Sequence, residues 1–119
     1  MGYHRNLLVW QLSQELAEAI YRATERFPRH EQFGLTAQMR RSCSSISANV
    51  AEGTGKLGDR ELARFLRIAR GSASELDSHI DLARRLGYLR YEEESALLKI
   101  VLRIQRMHFG LIRRLTVSP

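Results

Sequence analysis

Arginine is the side chain with the most chemistry to offer in this sequence. All of the 19 basic residues except Lys56 and Lys99 are arginine, against 13 acidic residues, for a net charge of +6. Arg60, Arg64, Arg67, Gly71, Ser74 and Ser78 follow one another at steps of three and four, and so do Lys99, Arg103, Arg106, Gly110 and Arg113. At about 100° per residue each set stacks on one side of a helix. Two such stripes on consecutive antiparallel helices would merge into a positive surface that neutralises phosphates of RNA or DNA regardless of sequence. No aromatic falls inside either stripe, so base stacking is not expected. The same spacing also suits a solvated helix face with no partner, and an arginine bias also follows from a GC-rich genome.

Catalytic and cofactor chemistry finds little support. Gly53-x-Gly55-x-x-Gly58 matches the dinucleotide fingerprint, which requires a preceding strand; a helical pattern precedes it here, so a flexible helix–helix connection is expected. Lys56 is not followed by Ser or Thr, which excludes a phosphate-binding P-loop. His4, His30, His79 and His108 have no metal-ligand spacing, and the inward Glu-x-x-His pairs of di-iron bundles are missing. Ser72-x-x-Glu75 is expected to make a helix-to-helix hydrogen bond, and Cys43 to be a small core residue. No enzyme, metal or cofactor is expected.

The elements that would carry the stripes are helices. Apolar residues at three- and four-residue steps predict segments at about 7–27, 36–53, 59–86 and 91–115. Pro28 breaks the first, Thr36 and Asp59 are expected as caps of the second and third, and Gly87 ends the third. Glu92, Glu93 and Glu94 suit the positive end of the fourth helix dipole. No stretch alternates with period two. The expected fold is an all-α, antiparallel up-down-up-down four-helix bundle in one domain, 1–119.

The second segment carries small residues, Ala37, Ser44, Ser47, Ala48 and Ala51, opposite its apolar stripe, with Gln38, Arg41, Ser45 and Glu52 along the edge between. Trp10, Ala17 and Tyr21 give the first segment a second stripe too. Both patterns point to burial against another copy of the chain, with Trp10 and Tyr21 as interface aromatics; edging of the monomer core explains the aromatics equally well. Composition sets the remaining bounds. The 119 residues are 44% hydrophobic and 27% charged, as in a soluble globular protein. No apolar run approaches membrane-spanning length, and the lone Cys43 suits a reducing compartment. A cytoplasmic protein without membrane contact is expected.

Several stretches occur together in order: Leu8-Val9-Trp10-Gln11, Phe33-Gly34-Leu35-Thr36-x-Gln38-x-Arg40-Arg41, Ser45-Ile46-x-x-Asn49-Val50-Ala51-Glu52-Gly53 and Arg64-Phe65-Leu66-x-Ile68-Ala69-x-Gly71-Ser72-x-x-Glu75-Leu76. With Leu86-Gly87-Tyr88-Leu89, they resemble the proteins encoded by intervening sequences in bacterial 23S ribosomal RNA genes. The family's Ala-Ala after the two arginines is Ser42-Cys43 here. The resemblance implies a four-helix bundle forming a homopentamer with a central channel. A distant relative, the accessory protein of diversity-generating retroelements, is a basic pentamer that binds nucleic acid and a reverse transcriptase, but it lacks these motifs. Partners implied are therefore other copies of the chain, RNA or DNA, or a partner protein. The resemblance marks Gln38, Arg40, Arg41, Ser45, Asn49, Glu52, Ser72 and Glu75 as a structural polar network or interface. Within that group Arg41, Glu52 and Asn49 are expected to join between helices, since buried polar groups need partners.

Overall fold

The computed structural model describes residues 3–56 and 58–117. Four helices account for most of them: α1 (Leu8–Thr24), α2 (Leu35–Thr54), α3 (Asp59–Arg85) and α4 (Tyr91–Thr116). Short connections reverse the chain between them, and α1–α2, α2–α3, α3–α4 and α4–α1 contacts close a ring of four. The bundle measures 50 × 24 × 20 Å, and no strand occurs among the described residues. Leu16, Ile20, Met39, Ile46, Leu66, Leu76, Ile80 and Ile104 lie fully buried along its axis. Each such side chain stabilises the fold by about 1.5–3 kcal/mol relative to exposure.

α1 ends at Thr24, three residues before the expected Phe27. Pro28 keeps Phe27 out of the helical conformation, and the Thr24 hydroxyl turns back to donate to the Ile20 carbonyl at 2.8 Å. Phe27 stays buried, its ring 5.3 Å from that of Tyr88. A 3₁₀ turn, Arg29–Glu31, follows. α2 then starts at Leu35 rather than being capped by Thr36, which is buried in its first turn. The cap comes from upstream: Glu31 Oε1 accepts the Leu35 N–H at 3.1 Å. Gly34 makes room for it, since a Cβ there would sit 2.6 Å from that oxygen. The Leu35 amide, and then the Tyr88 hydroxyl, hold the Glu31 carboxyl below the usual range.

The glycine run after α2 is not the loose connection expected. Gly53 is buried inside α2, where a Cβ would lie 2.9 Å from the Phe65 Cβ, so its absence lets α2 and α3 approach. The turn itself rests on Gly58, with φ +92°, a region that favours glycine. Asp59 is the first residue of α3 rather than its cap. At the far end Gly87, with φ +82°, closes α3: Tyr88 N–H donates to Ala83 O at 2.8 Å and Gly87 N–H to Arg84 O at 2.9 Å. α4 opens with the Arg90 N–H donating to Glu93 Oε1 at 2.9 Å.

Candidate nucleic-acid and assembly surfaces

α3 and α4 present the arginines outward because their other sides are taken by the core. Ala69, Ala73, Leu76 and Ile80 line the inner side of α3, so Arg60, Arg64 and Arg67 are exposed opposite them. On α4, Val101, Ile104 and His108 face inward, leaving Lys99, Arg103, Arg106 and Arg113 exposed. The two helices are tied by Gln105 Nε2 donating to Ser74 Oγ at 3.3 Å and by the buried Glu94, whose carboxylate sits 3.0 Å from Arg84 Nε.

Among these seven basic residues only Arg64 has an acidic partner among the described residues. It binds Glu61 through Nε and Nη2 at 3.3 and 3.2 Å and lies 4.5 Å from the Phe65 ring centroid. That bond raises the pKa of Arg64 and lowers that of Glu61. Acids elsewhere pair with other cations, such as Arg22, Lys56, Arg84, Arg85 and Arg90. The other six therefore stand without an ion pair among the described residues, as does the exposed Glu75 of α3.

Packing adds what helical spacing missed. Arg70 lies off the α3 stripe, on the flank turned to α4, with its guanidinium 5.5 Å from the Phe109 ring centroid. Phe109 is 52% exposed. The two share a shallow groove of about 360 Å³ with Ser74, Leu102, Gln105 and Arg106. An aromatic thus does stand among the arginines, against expectation, because it reaches them across the helix pair and not along one helix. Beneath this face His108 is fully buried with neither ring nitrogen hydrogen-bonded among the described residues. Burial, and then Arg70, push its pKa down to about 4.

The α1–α2 side has the opposite character. Trp10, Ala17 and Tyr21 line one flank of α1 and, with Gln11, Gln14 and Glu18, bound an open groove of about 580 Å³. Trp10 is half-buried under the flanking turn, with His4 edge-on at 5.0 Å and the Arg5 guanidinium at 5.4 Å. Arg40 of α2 donates to Thr24 Oγ1 at 2.9 Å and Tyr21 O at 3.2 Å, and stacks 4.6 Å from the Tyr21 ring. Of the small residues on α2, Ser44 and Ala48 are exposed, Ala37 and Ala51 half-buried, and Ser47 buried.

The expected polar network divides. Ser45, Ser72 and Asn49 meet between α2 and α3: the two hydroxyls are 2.9 Å apart, and Asn49 Nδ2 donates to Ser45 Oγ at 3.0 Å. Arg41 and Glu52 do not join them or each other. They are exposed on one face of α2, three turns apart, and an 11-residue separation spans about 16 Å at 1.5 Å per residue. Glu52 instead lies 3.9 Å from Lys56. Gln38 and Glu75 are exposed with no side-chain partner among the described residues. Burial pushes the Cys43 thiol up to about 11, which disfavours the thiolate at neutral pH. No cluster of three His, Cys, Asp or Glu occurs among the described residues, and no helix is long and apolar enough to cross a membrane.

These features define a basic antiparallel four-helix bundle. The family model for the 23S rRNA-intervening sequence protein matches residues 5–110, and the chain belongs to that family. Its fold is similar to the crystal structure of a protein of unknown function from the S23 ribosomal protein family of Bacteroides thetaiotaomicron. The two share 24% identity and a TM-score of 0.80 over 88% of this chain and 98% of the other. No curated protein matches this chain significantly.

Proposed function

We propose that this protein is a non-catalytic homo-oligomer, a pentamer in keeping with its family resemblance, that binds nucleic acid through the α3–α4 face. The observation that carries the reading is that Arg60, Arg67, Arg103, Arg106, Arg113 and Lys99 are exposed on α3 and α4 with no ion pair among the described residues. Exposed cations left without an ion pair repel one another, and a phosphate backbone relieves that repulsion while releasing counterions. The small and aromatic residues of the α1–α2 side supply the contact between copies, so that several cationic faces act on one strand and gain from multivalency. The test is binding of labelled RNA and DNA at low salt by the wild type and by R67Q/R103Q/R106Q/R113Q. Binding by the former and its loss in the latter, with helicity retained, supports the reading; equal binding by both contradicts it.

A second reading, an assembly scaffold for a partner protein, is favoured by a separate observation. Ile68, Leu82, Leu86 and Phe33 are exposed apolar residues away from the α3–α4 groove. It predicts pull-down partners that survive nuclease treatment.

A further inference from the structure

Exposed phenyl rings are ordinary on protein surfaces, but the setting of Phe109 is not neutral. Its groove contains two arginines, Arg70 and Arg106, and no carboxylate. Neither arginine makes an ion pair among the described residues. Leu102 extends the apolar wall, and at about 360 Å³ the groove suits one nucleobase and its sugar. Gln105 gives one amide N–H to Ser74, which leaves its other N–H and its carbonyl oxygen for the polar edge of a base. A flat ring, flanking guanidinium groups and an amide together form a stacking platform set within phosphate-binding charge.

We infer that the α3–α4 groove is a single-strand site, in which an unpaired base stacks on Phe109 while the neighbouring phosphates meet the surrounding arginines. The inference rests on the nucleic-acid reading of this face and sharpens it. A duplex keeps its bases stacked on one another, so against this face it gains phosphate contacts alone. An unpaired base has a free π-face and gains the ring as well. Single strands are therefore preferred over duplexes, and Phe109 is the source of the preference.

Binding of short oligo(U), oligo(dT) and duplex DNA at low salt, with wild type, F109A and F109Y, separates the possibilities. F109A is expected to weaken single-strand binding about tenfold or more while duplex binding, thermal stability and oligomeric mass are unchanged. F109Y is expected to restore the wild-type affinity. An oligonucleotide carrying 2-aminopurine should lose fluorescence on binding to the wild type and keep it with F109A. Whether oligo(U) or oligo(dT) binds tighter assigns RNA or DNA to the same site, and either supports it. F109A binding of single strands and duplex unchanged, or weakened equally, overturns the single-strand site and leaves the arginine face standing. A lower oligomeric mass in F109A assigns the ring to subunit contact and also overturns it. Wild-type protein that binds none of the three ligands overturns both.

Discussion

The α3–α4 and α1–α2 faces lie on opposite sides of the same bundle and treat their charged side chains differently. On α1, Arg22 faces Glu18 at 3.6 Å and Arg26, just past the helix, pairs with Glu93 across to α4, while Arg41 of α2 is exposed with no ion pair among the described residues. Arg40 is spent on Thr24 and on the Tyr21 ring. Across the bundle Arg67, Arg70, Arg103, Arg106 and Arg113 have no carboxylate among the described residues. Exposed ion pairs contribute little to stability, so the matching does not explain the fold. What differs is what each face mainly leaves unmet: charge on one, flat and small-residue surface on the other. The first suits a polyanion, the second another protein chain.

Removing the charge from α3 and α4 is expected to have the largest effect. R67Q/R103Q/R106Q/R113Q is expected to lose nucleic-acid affinity about a thousandfold near 0.05 M salt, with oligomeric mass unchanged by light scattering. Placing bulk and charge on the opposite face acts on assembly instead. A48R, at an exposed position on α2, should reduce the scattering mass to that of a monomer while circular dichroism keeps its helical signal. An unchanged mass would remove the α1–α2 side as the subunit contact.

Two further variants test what lies beneath the faces. His108 is neutral in the folded protein, its pKa lowered from 6.5 to about 4, whereas in the unfolded chain it takes up a proton below about 6.5. The unfolded state therefore binds more protons between these values, and stability falls as pH drops from 6.5 towards 4, by about 3 kcal/mol at most. H108L should remove this part of the acid sensitivity in denaturant titrations, and an equally steep pH dependence would show that other groups cause it. G53A should cost about 1–3 kcal/mol, because the added methyl meets the Phe65 Cβ at 2.9 Å. Its thermal midpoint would show the loss; a stabilised variant would contradict the close α2–α3 approach.

Helix positions were legible because apolar spacing and punctuation agree locally: Pro28, Gly58 and Gly87 bound segments whose apolar stripes are buried, apart from the half-buried Leu62, Leu111 and Leu115. The ends were less so. Glu31 caps α2 from outside the helix and Thr24 closes α1 through its hydroxyl, and although each contact spans only four residues, apolar spacing carries no signal for it. The same limit governs the surfaces. Helical spacing located the arginines of each stripe, but Arg70 and Phe109 sit on flanks of different helices and meet only once α3 packs on α4. Arg41 and Glu52 fail as a pair for a reason the sequence already held: residues three turns apart on one straight helix cannot touch.

If the arginines of α3 and α4 hold nucleic acid, binding must weaken with salt in proportion to the phosphates they meet. Affinities of wild type and R67Q/R103Q/R106Q/R113Q for one single-stranded oligonucleotide, measured over a range of salt, give a slope of log K against log salt for each. Loss of four phosphate contacts should make that slope shallower by about 3. Equal slopes, or wild-type binding that salt does not weaken, would contradict the account.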